Sequence, residues 1–271
     1  MLSLRECQEI ELNILEQIHQ YCEKHGLHYL MLYGTLIGAV RHQGFIPWDN
    51  DIDIGMPRPD FERLLELSET EPIGEHLYIE HYTIDPQYHY LCMRVCDDRT
   101  TVQVPYIREQ PTRLGLWVDI FVIDGVAPTK TLYWLQKKKI MFYWYMFRAY
   151  VYGTLDNKNT FRKIIKKIIL GFVGSNELNY RITKLVSRYR FEDCELVEDA
   201  FTPHYRPLRR EDFYHPMPMA FEGHVFYGPS HYDEYLTLCF GNYMQLPPEE
   251  KRMPHPFLAD WSHGGIDISD I

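Results

Sequence analysis

The six cysteines, Cys7, Cys22, Cys92, Cys96, Cys194 and Cys239, include no CxxC pair and keep no regular spacing. A disulfide framework and a thiolate metal site are therefore not expected, and the cysteines read as free thiols of a reducing compartment. No run of eighteen apolar residues occurs, so nothing is expected to span a bilayer. The first twelve residues carry three acids and lack the basic start and apolar core of a secretion signal, which points to a cytoplasmic protein. Internal repeats and low-complexity tracts are missing as well. Positive charge is in deficit, with 28 Lys and Arg against 38 Asp and Glu and a formal charge of -10. A surface of that sign repels phosphate backbones, which argues against nucleic acid as a partner.

What is present is a chain of 271 residues, 45% hydrophobic and 24% charged, long enough to bury a core without disulfides or an obligatory metal. Aromatics reach 15%, including 21 Tyr. Leu4, Cys7, Ile10, Ile14, Ile18, Tyr21 and Cys22 recur at helical steps and Gly26 stops the helix they define. Short apolar runs then alternate with helical and turn segments, the pattern of a mixed α/β (α+β) domain. Strands are expected at Tyr29–Tyr33, Asp51–Met56, Leu77–Tyr82, His89–Val95 and Leu116–Ile123, helices at Leu36–Arg41 and Asp60–Ser68, and a turn at Asp124-Gly125.

The segment YGTLIGAVRHQGFIPWDNDIDIGM, residues 33–56, carries the chemistry. On a strand, Asp49, Asp51 and Asp53 would share one face while Ile52 and Ile54 pack inward. Acids two residues apart lie roughly 7 Å from each other and repel unless a cation sits among them. Oxygen ligands without matching His or Cys favour magnesium or manganese over zinc. Most acidic clusters are simply solvated, but the flanks here weaken that explanation. Gly34-Thr35 allows close approach of backbone to a phosphate, and Arg41 and His42 supply positive charge. In LWVDIFVID, Asp119 stands as a lone carboxylate between Trp117 and Phe121, costly if buried unpaired and favourable as a third metal ligand beside Asp51 and Asp53. Asp124 is explained by the Asp-Gly turn. The arrangement suits metal-assisted phosphoryl transfer on a nucleotide substrate.

These residues also resemble a known family. HYLMLYGTLIGAVRHQGFIPWDNDIDIGMPRPDFERL, then GLWVDIFVIDGVAP, then FEGHVFYGPSHYDEYLTLCFGNYMQLPPEEKRMPH, in that order, are similar to the LicD family of phosphorylcholine transferases. That family is a branch of the nucleotidyltransferase superfamily that includes fukutin and fukutin-related protein. The resemblance implies a nucleotidyltransferase-like mixed sheet flanked by helices. It implies transfer of phosphocholine from CDP-choline to a hydroxyl of a teichoic acid, lipopolysaccharide or other surface glycan, with release of CMP. Carried over by position, Asp51, Asp53 and Asp119 are the metal ligands, with Asp49 as a base or accessory ligand. Asn50 stands where the family often has Asp, Arg94 where Lys is common, and Thr35 where Ser is usual.

Choline cannot donate a hydrogen bond and is held by aromatic faces, so Trp48, Trp117, Tyr227, Tyr232, Tyr235 and Tyr243 form a pool of contacts, although for each one alone core packing or ordinary surface exposure is the better explanation. Lys251, Arg252 and His255 follow a Pro-Pro turn, within reach of nucleotide phosphates or in a solvated loop. Residues 128–190 differ from the rest. From 130 to 170 there are ten Lys and Arg against Asp156 alone, a local +9 that leaves -19 elsewhere. Aromatics crowd the same stretch, and Ile164, Ile165, Ile168, Ile169 and Phe172 share a helix face. The stretch reads either as a helical insertion packed on the core or as a basic aromatic lobe that meets an anionic cytoplasmic leaflet carrying a lipid-linked acceptor. The expected organisation is one catalytic domain over 1–271, with a core at 1–127, the insertion at 128–190 and a part completing the site at 191–271. Two rivals remain open: the same fold using CDP-ribitol, CDP-glycerol or CDP-ethanolamine, and a catalytically silent choline- or glycan-binding module.

Overall fold

The computed structural model describes residues 1–105, 113–151, 175–199 and 206–262. Helix α1 (Leu4–His25) begins in a capping box, in which the Ser3 hydroxyl accepts from the Glu6 N–H and the Glu6 carboxylate accepts from the Ser3 N–H. It ends at Gly26, whose left-handed φ of 65° suits a residue without Cβ. Ile10, Ile14, Leu15 and Ile18 on its inner face are fully buried, packed over the central strands.

The chain then runs through β1 (Leu30–Met31), α2 (Tyr33–His42), β2 (Asp53–Pro57), α3 (Arg58–Ser68), β3 (Leu77–Glu80), β4 (Met93–Asp97), β5 (Thr100–Gln103) and β6 (Trp117–Gly125). α4 (Lys130–Val151) and α5 (Ser175–Val186) follow, then β7 (Leu196–Glu198), β8 (Leu208–Arg209), α6 (Glu211–Tyr214), β9 (Met217–Phe221), β10 (His224–Gly228), α7 (Tyr232–Phe240) and β11 (Leu258–Trp261). Seven strands form one mixed sheet in the order β1-β2-β6-β4-β3, with β7 on the end of β6 and β8 beside β7. β2 and β6 are parallel and the other pairs antiparallel. Helices plus this mixed sheet are the α/β class expected.

Several boundaries move. The strand expected from Asp51 begins at Asp53, so Asp49 and Asp51 lie on the entering loop and do not share a strand face. The reason is pairing: Asp53 is the first residue of β2 in register with β6, and its N–H is anchored by the Thr35 hydroxyl at 2.8 Å. The first strand stops at Met31, and Tyr33 opens α2 with a φ of 50°. Asp124-Gly125 is not a turn. Both residues extend β6 and pair with β7, and Asp124 is buried in a two-pronged ion pair with Arg58 at 2.5 and 2.6 Å. Gly125 is required by close approach, because a Cβ there would meet the Arg190 carbonyl and the Cys194 sulfur at 2.6 Å.

α4 and α5 pack against each other through Ile140, Ile182 and Val186, joined by Leu91 from the core side. α4 is tied to β7 by Tyr133 and Lys137, both bonded to Glu198 at 3.0 and 3.1 Å. The amphipathic segment with Ile164, Ile165, Ile168, Ile169 and Phe172, and its Lys163, Lys166 and Lys167, lies outside the described residues. Among the described residues no helix is long and apolar enough to cross a membrane.

Candidate active site

Sheet register places three charges in one row. Asp53 on β2 is opposite Asp119 on β6, and Asp119 is opposite Arg94 on β4. Asp119 is 8% exposed and is not the lone carboxylate expected from its sequence neighbours. Its Oδ1 accepts from Arg94 Nε at 2.9 Å and from the Cys92 thiol at 3.5 Å, and its Oδ2 accepts from Trp117 Nε1 at 2.9 Å. The local strand pattern hides this partner, because Arg94 arrives from another strand. The guanidinium lies 4.0 Å from the Trp117 ring centre and 4.9 Å from that of Tyr90. Trp117 therefore turns one π-face to an internal cation and packs on Phe257, which removes it from the choline pool.

The loop acids converge with the C-terminal block. Asp49, Asp51 and His255 present ligand atoms that all lie within 4.8 Å of one another. Asn50 is the clamp: its amide donates to the His255 carbonyl at 3.1 Å and its oxygen accepts from the His255 N–H at 2.7 Å. This holds the His255 ring 3.4 Å from Asp51 Oδ2. Gly34, at the start of α2, makes room for Asp49, since a Cβ there would stand 2.8 Å from Asp49 Oδ2. Thr35 is buried with its hydroxyl bonded to the Asp53 N–H, so it builds the strand entrance.

The acids of the cluster press on each other. Burial, then the charges of Asp53 and Asp49, push Asp51 well above the usual carboxylate range. Burial, then Asp119 and Asp49, do the same to Asp53, with Arg94 opposing. Carboxylates crowded in this way fit a divalent cation, whose charge would reverse the repulsion, and the His255 imidazole beside them adds a nitrogen donor that the sequence reading, which found no matching His, did not expect.

The remaining residues singled out from sequence are placed as follows. Arg41 donates from Nη1 to the Tyr243 carbonyl at 2.7 Å and from Nε to His42 Nε2 at 2.9 Å, tying α2 to the C-terminal block. Burial, then the Arg41 charge, lowers the pKa of His42. Arg252 stands over the Trp48 ring at 5.4 Å and donates to the Pro247 carbonyl, whereas Lys251 is exposed in a short 3-10 turn. Tyr235 and Tyr243 are buried, Tyr243 bonding Asp233 at 2.7 Å, and Tyr227 packs on Tyr29 and His19, so these three serve the core. Tyr232 lies half-buried against the same core.

Two residues of α1 escaped the sequence reading. Gln8 donates from Nε2 to the Asp49 carbonyl at 2.8 Å, and Glu11 is 1% exposed with Oε2 free of any hydrogen-bond partner. Both positions fall inside the apolar stripe between Cys7 and Leu15, and a polar pair three residues apart on a buried face was the available signal.

The model of the LicD/FKTN/FKRP nucleotidyltransferase domain matches residues 26–148. The chain is 32% identical over 269 residues to the lipopolysaccharide cholinephosphotransferase LicD of Haemophilus influenzae, covering 94% of this chain and 96% of that protein. It is 36% identical over 87 residues to an uncharacterized protein of Rickettsia prowazekii, covering 31% of this chain and 30% of that one. A further uncharacterized protein, from Rickettsia typhi, is 42% identical over 55 residues, covering 19% of this chain and 18% of that one.

Proposed function

We propose, from the premise that this chain belongs to the LicD family, that it transfers phosphocholine from CDP-choline to a hydroxyl of a bacterial surface glycan precursor, releasing CMP. The name of the Haemophilus relative, aligned over nearly the whole of both chains, supports the phosphocholine group and a lipopolysaccharide-type acceptor. A teichoic acid precursor offers the same hydroxyl chemistry. The observation that carries the reading is the convergence of Asp49, Asp51 and His255 beside the row formed by Asp53, Asp119 and Arg94.

In this reading Asp51 and Asp53 hold a divalent cation, with Asp119 facing the same row and kept in one rotamer by Arg94 and Trp117. Magnesium or manganese, when bound, neutralises the diphosphate and stabilises CMP as leaving group. Asp49, on the loop and beside Gly34, would take the proton of the attacking hydroxyl. Gly34, which leaves room for Asp49, and Thr35, whose hydroxyl bonds the Asp53 N–H, are the residues at the start of α2 that the diphosphate would approach. Arg252 and Trp48, with Lys251, border the same site as donor contacts. We assign the core of this machinery to residues 1–127 and its completion to 191–271.

The basic lobe, within 128–190, is assigned to peripheral contact with the cytoplasmic membrane. α4 buries Ile140, Phe147 and Val151 and turns Leu135, Lys138, Phe142 and Tyr145 outward, with Trp134 58% exposed beside them. Its charged residues are all basic: Lys130, Lys137, Lys138, Lys139 and Arg148. An aromatic and cationic face matches an anionic interface.

The test of donor identity is CMP release by the purified protein with magnesium, an acceptor precursor and a panel of CDP-activated donors. Turnover confined to CDP-choline is expected, and equal turnover with CDP-ribitol contradicts the proposal.

A further inference from the structure

We infer that His255 is a nitrogen ligand of the divalent cation and that Asn50 is the positioning residue that delivers it; this rests on the cation-dependent reading of the site given above. The run Met253-Pro254-His255-Pro256-Phe257 puts a proline on each side of the histidine. Pro254 has its own φ fixed and Pro256 keeps His255 out of the helical region, so the stretch is stiff before anything touches it. Two anchors then decide where it lies. On the downstream side the Phe257 N–H donates to the His255 carbonyl at 3.0 Å, and the Phe257 ring packs on Trp117 at 5.2 Å just ahead of β11. The other anchor is Asn50, buried between the two loop acids, which donates to the His255 carbonyl and accepts from the His255 N–H. A carboxamide can do both, whereas an ionised aspartate could accept from the N–H and has no hydrogen to offer the carbonyl.

This rigidity holds a side chain that packing does not explain. The imidazole is 58% exposed and stands outside both apolar clusters formed by the described residues. Its Nε2 faces Asp51 Oδ2 at 3.4 Å, and Asp49 offers a third ligand atom, all within 4.8 Å of one another. Donor atoms bound to one divalent ion at roughly 2.1–2.3 Å stand about 3–4.5 Å apart, so closing on an ion asks for only a small shift. An imidazolium in the same place would bring one positive charge to two carboxylates, whereas a divalent ion matches both and takes the neutral ring as a ligand. A mixed nitrogen and oxygen set accepts manganese and the later first-row divalent ions as well as magnesium. Asn50 lies between Asp49 and Asp51 in the chain, so one residue both spaces the acids and brings the nitrogen to them.

The experiment measures Mn2+ binding to the full chain by electron paramagnetic resonance of the free ion, and reads the bound ion for nitrogen by electron spin echo envelope modulation. The variants are His255→Ala, Asn50→Ala, the two combined, and His215→Ala as a control at the exposed histidine after α6. Wild-type bound Mn2+ is expected to show the modulation of a directly coordinated imidazole nitrogen. His255→Ala abolishes that modulation and raises the Mn2+ Kd about tenfold or more. Asn50→Ala weakens the modulation and raises the Kd about tenfold. It adds nothing further once His255 is gone, an outcome that a merely structural role would not produce. His215→Ala changes neither quantity. Bound Mn2+ without nitrogen modulation in the wild type, or with modulation that persists in His255→Ala, overturns this inference and leaves the cation reading standing. An Asn50→Ala change that prevents folding, or that costs as much affinity without His255 as with it, overturns the positioning role. Absence of Mn2+ binding by the wild type overturns the cation reading of the site together with this inference.

Discussion

Asp119 is held at both oxygens, by Arg94 on one and Trp117 on the other, and a carboxylate anchored in this way presents a fixed edge to whatever binds beside Asp53. The acids themselves were legible in the sequence because their spacing is a local property. Their partners were not. Arg94 reaches Asp119 through antiparallel register, His255 reaches Asp51 through a loop two hundred residues away, and no window of residues encodes either contact. Glu80 makes a prediction at this scale. It is 5% exposed on β3, opposite Arg94 in register, with Oε2 unpartnered, and burial, reinforced by Asp85, pushes its pKa up to about 7. A folded-state pKa above the ordinary 4.5 means that the native state keeps a proton the unfolded chain releases. The associated stability is complete below pH 4.5 and is lost as pH rises toward 7, by up to about 3 kcal/mol. Urea unfolding of Glu80→Gln at pH 5 and pH 8 is expected to show a smaller loss between the two than wild type. An identical loss in both proteins would remove Glu80 as its source.

At the scale of elements, the helix with strict apolar periodicity was legible to within a residue or two, since 3.6-residue spacing and a terminal glycine are strong local signals. β2 was placed but begun too early. The alternation of Asp and Ile continues upstream of the strand, while the chain there obeys the Asn50 clamp to His255 and has no ladder to join. β6 was cut short because Asp-Gly is a common turn pair, whereas here Arg58 neutralises the buried Asp124 and β7 supplies the ladder. The antiparallel pairs β5–β11 and β9–β10 went unforeseen; β5 meets β11 across more than 150 residues. α4 carries the prediction at this scale. Its outward aromatic and basic face is expected to bind vesicles containing anionic lipid and to ignore neutral ones. Lys138→Glu combined with Arg148→Glu should abolish that binding without loss of secondary structure, measured by vesicle flotation and circular dichroism. Undiminished flotation of the double variant would contradict membrane contact through this helix.

Among the described residues, the N-terminal helix and the block from Tyr243 to His255 meet around the site. α1 lies behind the acids, and the C-terminal block closes the front through His255, Arg252 and the Tyr243 carbonyl held by Arg41. β11 joins β5, and the amino terminus bonds Asp260, so the closure is built into the sheet edges as well. The formal charge of -10 conceals this arrangement, because an acidic body and a basic helical segment are averaged in one sum. The central claim is that the acidic cluster works through a divalent cation in phosphocholine transfer. Its most direct measurement is transfer of labelled phosphocholine from CDP-choline to the glycan precursor, run with magnesium, with chelator, and with Asp53→Asn. The account predicts loss of transfer in chelator, recovery on adding magnesium, and a fall of about a hundredfold or more in Asp53→Asn with the fold retained. Transfer that continues undiminished in chelator, or in Asp53→Asn, would contradict it.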